Sequence, residues 1–420
     1  MILNMNKNHS NRELIYKPRW MSPSIRAAIK TFPVVVISGA RQVGKSTFLQ
    51  NEFPDFKYIS LDDYSILQQA KSDPSSLWIG ADQIILDEAQ RVPEILSAVK
   101  LSVDKTQRRM RFLISGSSNL LLMKSISESL AGRAVYFEML PMSYGEMYGK
   151  TQTPQNFFNL LNPRYEPKEQ DLSTINPLPL VLKGFMPPLM NLTPGNDILL
   201  WWEGYIKTYL ERDLRELSQV ESLIDFRRVL ESLAIRTGNL LNQTEISRDT
   251  GVSQPTVYRY IKLLEVSNLV KRLPAYHSSR TKRITKSSKV FFIDPGLSAY
   301  LSGYHDEDVL GKAREWGNFF ETMIFLHLKI LSELLIPKAS IYYWRTTTAK
   351  EVDFVIEQGR KLVAFEVKSS KEPTFSDIKN LLTFIEENPH TIRGVFLYAG
   401  RSIKWLHSKV LAVPWWWVTR

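Results

Sequence analysis

Gly39-Ala40-Arg41-Gln42-Val43-Gly44-Lys45-Ser46-Thr47 decides how this chain is read. The stretch has the form G-x-x-x-x-G-K-[ST], a phosphate-binding P-loop. Its glycines let backbone N–H groups close around phosphate oxygens where a side chain would clash. Lys45 has the reach for β- and γ-phosphates, and the Ser46 hydroxyl suits Mg²⁺. The helix expected from Gly44 onward turns its positive N-terminus toward the anion. The flanks agree. Pro33-Val34-Val35-Val36-Ile37-Ser38 is a short β-branched run expected as a buried parallel strand, and Thr47-Phe48-Leu49-Gln50 opens a helix. Gly39, Arg41, Gln42, Val43, Gly44, Lys45, Ser46 and Thr47 are therefore the candidate phosphate-binding residues.

The neighbouring segments extend this into a sheet domain. Residues 21–32 read as a short helix leading into the first strand, and Tyr58-Ile59-Ser60-Leu61 as a second strand ending in Asp62-Asp63. Gln83-Ile84-Ile85-Leu86-Asp87-Glu88 is an apolar strand closed by two acids, the Walker B pattern. Asp87 is the candidate Mg²⁺ holder, and Glu88 the group that orients or deprotonates an attacking water. Arg111 to Asn119 gives a fourth strand ending in small polar residues. Ser117, and after it Asn119, is the candidate for positioning that water, with helix capping as the alternative role. Arg133, before the apolar run Val135 to Leu140, is a candidate arginine finger for a neighbouring copy, or a residue binding within its own domain.

Gly39–Thr47, Leu86-Asp87-Glu88-Ala89-Gln90, Leu113–Ser117 and Leu130-Ala131-Gly132-Arg133 together resemble the AAA+-type ATPases of bacteria and archaea that carry a C-terminal domain of unknown function. The resemblance implies a five-stranded parallel sheet between helices, ATP and Mg²⁺ as ligands, and a homo-oligomer. It extends over nearly the whole chain.

Composition sets the outer limits. The 420 residues have room for about three domains, and 44% hydrophobic content is ordinary for a protein with real cores. The absence of cysteine excludes disulfides, thiolate zinc sites and cysteine nucleophiles. The six histidines are scattered without metal-ligand spacing. Met1 to Trp20 is polar and basic, with neither a signal-peptide core nor, anywhere in the chain, an apolar run of membrane-span length. A cytoplasmic location without a membrane partner is the expectation. The net charge of +11 suits a polyanion such as DNA.

Residues 151–196 carry prolines 154, 163, 167, 177, 179, 187, 188 and 194, a density that breaks long elements and predicts a linker or lid. Within it, Lys183-Gly184-Phe185-Met186-Pro187-Pro188 imperfectly resembles the family's Gly-Gly-Tyr-Pro segment. Trp201 to Leu214 is helical by period, and its Glu211-Arg212-Asp213-Leu214 resembles a second family signature. Arg212 and Asp213 either sense nucleotide or form a salt-bridged packing face. Gln243 to Ile261 has the logic of a helix-turn-helix: Thr244 as first cap, Gly251 in the turn, Val252 as its plug, Ser253 as second cap and Pro255 in the first turn. Val257, Ile261 and Leu264 make a buried stripe, leaving Gln254, Thr256, Tyr258, Arg259 and Lys262 as candidate DNA contacts. Between Glu265 and Asp294 lie Lys271, Arg272, Arg280, Lys282, Arg283, Lys286 and Lys289 with no acid. That is where the wing of a winged helix falls, so Arg280, Lys282, Arg283 and Lys286 join the candidate DNA-binding set. The alternative is a packing module with a solvated basic loop.

In the last part, Gly317 to Leu328 reads as an apolar helix with one acid, Glu321, and Tyr342 to Arg345 as a strand. Glu351 to Ile356 and Lys361 to Lys368 read as a hairpin. Strand alternation puts Asp353, Glu366 and Lys368 on one side. Two carboxylates with a lysine beside them suit a divalent metal and phosphodiester attack. The pattern resembles the D…E-x-K arrangement of restriction endonucleases and Holliday-junction resolvases, with Glu321 as the helix acid. The candidate metal ligands of the chain are thus Ser46, Asp87, Glu321, Asp353 and Glu366. Pro414-Trp415-Trp416-Trp417-Val418 reads as a packed edge strand, since three adjacent tryptophans cannot share one face.

The expected architecture is α/β: a P-loop AAA+-type parallel-sheet domain over 1–149, a linker and helical segment over 150–235, a winged helix over 236–305, and a restriction-endonuclease-like α/β domain over 306–420. The expected function is ATP hydrolysis coupled to work on DNA, branched or at ends, with a metal-dependent nuclease-like domain. Two alternatives stand beside it. One is an ATP-dependent regulatory switch or scaffold, in defence or stress, whose modules bind without cutting. The other is a DNA-binding transcription regulator.

Overall fold

The apolar runs around the P-loop form a five-stranded sheet in the computed structural model, which describes residues 16–117, 130–208 and 222–420. The strands are β1 (Val34–Gly39), β2 (Lys57–Ser60), β3 (Gln83–Asp87), β4 (Arg111–Ser117) and β5 (Ala134–Glu138). Their order is β2-β3-β4-β1-β5, with every neighbour parallel. Central strands covered on both faces need unbroken apolar sequence, which Val34–Ile37, Ile84–Leu86 and Phe112–Ile114 supply. β4 stands between β1 and β3, so the glycine loop and the Asp87-Glu88 pair leave the same edge of the sheet with one strand between them. The expected leading helix runs over Ser22–Thr31, and the P-loop helix over Lys45–Glu52.

The proline-rich middle is not a free linker. Gln170–Asp171 forms β6 and pairs with β13 (Ser402–His407) at the edge of the C-terminal sheet. Arg393 donates to the carbonyls of Tyr165 and Asn162, each at 2.7 Å. Extended proline-containing backbone cannot satisfy itself, so it takes partners from a sheet edge. A helix follows over Asn196–Tyr205. Glu211-Arg212-Asp213-Leu214 lies outside the described residues.

The next helices are Leu223–Ile235, Gln243–Thr250 and Gln254–Val266. Gly251 closes the second at φ 71°, and Ser253 caps the third. The cap of the second is Asn242, whose side chain accepts from Thr244 and Glu245 N–H groups, and not Thr244. The expected wing differs more. β7 (Val270–Leu273) and β8 (Lys289–Phe292) pair antiparallel. The connection between them holds a short helix, Arg280–Thr285, where a bare basic hairpin was expected.

The helix Trp316–Glu333 packs on a seven-stranded sheet ordered β6-β13-β14-β12-β11-β10-β9. Here β9 is Ser340–Arg345, β10 Glu351–Gln358, β11 Lys361–Lys368, β12 Thr391–Tyr398 and β14 Val410–Pro414. The tryptophan run is not an edge strand: it is a short 3-10 helix, Trp415–Thr419, buried in a shared core. Three residues per turn spread adjacent side chains around the axis, so burial of all three requires partners on every side. Those partners come from across the chain, because one core contains Trp20, Leu140, Tyr144, Phe185, Phe325 and Trp416 together.

Candidate nucleotide-binding site

The P-loop lies beside a cavity of about 440 Å³ whose walls include Arg41, Lys45, Ser46, Thr47 and Glu88. Gly39, at φ 155°, could carry no side chain, since a Cβ there would stand 2.3 Å from the Met139 carbonyl oxygen. Lys45 Nζ donates to the carbonyls of Gly39 at 3.0 Å and Ala40 at 2.9 Å. Burial pulls its pKa down to about 8 against the opposing pull of Glu88 and Asp87. Glu88 sits in the left-handed region at φ 56° and accepts from the Gln90 amide. Burial raises its carboxyl above the usual range, countered by Lys45. Asp87 lies behind the cavity wall, buried, and accepts from the hydroxyls of Tyr58 and Ser115. Tyr58 is raised by burial and by Asp87, and it also bonds the Ser46 hydroxyl. One carboxylate and one hydroxyl meeting at a shared partner fit Mg²⁺, which keeps few protein ligands and takes the rest from water and phosphate.

Of the other expected participants, Ser117 stays at the P-loop edge of the sheet and Arg133 does not. Ser117 ends β4 opposite Gly39, and the hydroxyl of Ser115, two residues earlier, reaches Asp87. Asn119 lies outside the described residues. Arg133 precedes β5, at the sheet edge opposite the P-loop, a strand length of roughly 16 Å away. There Asp104 holds it at two points of 2.8 Å each, so it is engaged within its own domain.

Two further walls come from outside the sheet domain. Arg19 is buried and donates to the carbonyls of Val43 at 3.0 Å and Leu140 at 2.6 Å, with Glu146 at 3.3 Å as its counterion. Pro187, Pro188, Met190 and Asn191 close the opposite side, and Pro187 comes within van der Waals reach of a Cβ at Gly44. The stem of this strap is pinned by Asp294, which accepts from Phe185 N–H at 2.8 Å and Gly296 N–H at 2.7 Å. The clue to Ser115 was a polar residue inside an apolar strand. Arg19 and Asp294 left no comparable sign.

The C-terminal candidates do come together. Asp353 and Glu366 flank the Phe354–Phe365 pair of the β10–β11 hairpin. Asp353 accepts from Val367 N–H at 2.8 Å, and Glu366 pairs with Lys368 at 2.8 Å. Burial pushes Glu321 up to about 8 and Glu366 well above its ordinary value. Among the described residues no three acidic or histidine side chains are grouped to hold an ion. Two cations stand at the cluster: Lys368 on Glu366, and Lys289, 3.1 Å from Glu321 and 2.6 Å from Glu351.

The candidate DNA contacts divide. Gln254, Tyr258, Arg259 and Lys262 are exposed on one helix, with Thr256 partly so. Arg280, Lys282 and Lys286 are exposed on the β7–β8 connection. Arg283 is not available: it makes a two-point pair with Glu357 at 2.6 and 3.1 Å and lies between the rings of Tyr276 and Tyr342. Likewise Lys271 pairs with Glu138, and Arg272 with Glu265, which also holds the exposed Lys262 at 3.0 Å.

A parallel sheet with a glycine loop after one strand, Asp-Glu after another and a third strand between them defines a P-loop domain of AAA type. Residues 31–148 match the family model described as an AAA domain, which supports ATP binding and hydrolysis there. Residues 179–308 match a domain of unknown function (DUF8612), and residues 316–418 another (DUF4143). Those two matches carry neither the winged-helix nor the nuclease resemblance. The chain is similar to an uncharacterized protein of Mycobacterium tuberculosis, 28% identical over 404 residues, covering 96% of this chain and 84% of that one. An uncharacterized protein of Methanocaldococcus jannaschii is 25% identical over 374 residues, covering 82% and 77%. Among solved structures, the Walker-type ATPase PABY2304 of Pyrococcus abyssi has a TM-score of 0.44 and 16% identity, covering 69% of this chain and 99% of that one. Among the described residues, no helix is long and apolar enough to cross a membrane.

Proposed function

We propose that this protein is an ATP-hydrolysing switch that engages DNA through the exposed face of the helix Gln254–Val266. The observation behind this reading is the cavity itself. Its floor is the P-loop with Glu88, and its far wall is a strap whose stem is pinned by Asp294. Nucleotide filling the cavity touches both the ATPase sheet and the segment leading to the helix-turn-helix. In this mechanism Lys45 leaves the Gly39 and Ala40 carbonyls and neutralises phosphate charge. Glu88 leaves Gln90 and takes the proton of the attacking water, or orients that water. Ser46 and Asp87 would hold Mg²⁺, which would supply charge neutralisation on the phosphates. Ser115 and Tyr58 fix the Asp87 carboxylate. Homo-oligomer formation belongs to the same proposal.

The test is the steady-state ATPase rate of the purified protein, alone and with single-stranded, duplex and four-way-junction DNA. Lys45→Ala should abolish turnover, and Glu88→Gln should bind ATP yet lose at least about 100-fold in rate. Full turnover in Lys45→Ala would sink the ATPase assignment. A rate indifferent to all three DNA forms would remove DNA from the reading and direct the switch toward protein partners.

A further inference from the structure

We propose that Lys289 is a resident cation on the Glu321 side of the Glu321–Asp353–Glu366 cluster, taking a position a divalent ion would need and fastening the helix-turn-helix module onto the C-terminal sheet. This goes beyond the ATPase reading and does not depend on it. Lys289 opens β8, whose four residues are all buried, so it is a charge placed in an otherwise apolar strand. A buried ammonium is tolerated only with charged, hydrogen-bonding partners. Lys289 finds two, Glu321 on the helix Trp316–Glu333 and Glu351 on β10, and both belong to the C-terminal part of the fold. Asp353 also lies close enough to act on its charge.

The surrounding backbone is closed down on the cluster. Gly238, before the helix-turn-helix, takes φ 82°, and a Cβ there would stand 3.1 Å from Glu321 Oε2. Beside it, the hydroxyls of Thr237 and Thr322 meet at 2.8 Å. The second oxygen of Glu366, Oε2, is buried with no hydrogen-bond partner. Its other oxygen, Oε1, is paired with Lys368 at 2.8 Å, so a second ammonium already stands on this carboxylate. A Mg²⁺ or Mn²⁺ ion needs about six oxygens near 2.1 Å in octahedral array. An ammonium already bonded to Glu321 repels such an ion and occupies one of its oxygens. The divalent ion and Lys289 are therefore alternatives at this cluster.

The experiment uses the full chain, free of nucleotide and washed with EDTA. Thermal melting and Mn²⁺ calorimetry are run on wild type, Glu366→Gln, Lys289→Met and Lys289→Arg. Wild type and Glu366→Gln should show the same Mn²⁺ response, so that any ion taken up at the P-loop cancels between them. Lys289→Met should melt several degrees lower than wild type. Mn²⁺ should restore part of that loss, and adding Glu366→Gln to Lys289→Met should remove the restoration. Lys289→Arg should resemble wild type. Wild type binding Mn²⁺ more tightly than Glu366→Gln would overturn the proposal, because the cluster would then be a resident metal site. So would a Lys289→Met chain as stable as wild type. If Lys289→Met fails to fold, the comparison of wild type with Glu366→Gln still decides.

Discussion

Lys45 shows how one buried side chain couples protonation to nucleotide binding. Without nucleotide its pKa of about 8 lies below the ordinary lysine value of 10.5 because burial outweighs Glu88 and Asp87. The folded chain then holds fewer protons than the unfolded chain between those two values. By linkage this residue's contribution to stability rises with pH across that window. A triphosphate beside the ammonium raises the pKa again. ATP binding should therefore take up a proton at pH 9, where free Lys45 is mostly neutral, and little through this residue at pH 7. Calorimetry in two buffers of different ionisation enthalpy measures the uptake, and equal uptake at both pH values would refute the shift. The same scale explains Ser115 and Ser117. Both are serines near the end of one strand, and sequence alone does not say which one stands level with Asp87. Strand register does, since Leu86 pairs with Ile114.

At the scale of elements, the strap from Gly184 to Asn191 decides what the P-loop can communicate with. Gly184 takes φ 84°, and a Cβ there would stand 2.5 Å from Asp294 Oδ1 and 2.9 Å from the Trp202 ring. Asp294 is fully buried and capped by backbone N–H groups, yet burial pushes it up to about 6. Removing its carboxylate leaves the Phe185 and Gly296 N–H groups buried and unpaired, at about 1–3 kcal/mol each. Asp294→Ala should lower the melting temperature and also weaken ATP binding, although the residue does not line the cavity. Equilibrium binding of a fluorescent ATP analogue measures the second effect. Unchanged affinity in a folded variant would show that the strap is not part of the site. The proline density of this segment was legible in the sequence, but its position over Gly44 was not. Prolines set local backbone shape and say nothing about which surface the segment meets.

At the scale of the whole molecule, counterions come from distant parts of the chain. Every formally charged residue from Lys271 to Lys289 is basic, but Glu138, Glu357, Glu321 and Glu351 reach them from two other modules. Arg283 is therefore a structural residue. Arg283→Ala should cost about 2–4 kcal/mol of stability, since it strands Glu357 and empties the space between two tyrosine rings. It should leave the DNA affinity and its salt dependence unchanged. Lys262→Ala, on the exposed helix face, should weaken DNA binding and reduce the salt slope by about 1. Fluorescence anisotropy at several salt concentrations separates the two. An Arg283→Ala variant that loses the larger share of DNA affinity would restore the basic connection as the contact surface.

The P-loop, the Asp87-Glu88 strand end, the Gly251 turn and the β10–β11 hairpin were all legible in the sequence, because each depends on neighbours a few residues away. Glycines where φ is positive, apolar runs for buried strands, and alternation along a hairpin are local rules. Ser115 on Asp87, Arg19 on the P-loop carbonyl, the strap over Gly44, the cage around Arg283 and Lys289 within the carboxylate cluster were decided only by tertiary structure. Each is a pairing of buried polar groups from segments far apart in the chain. Burial makes such pairing obligatory, but the partner is set by which surfaces the fold brings together.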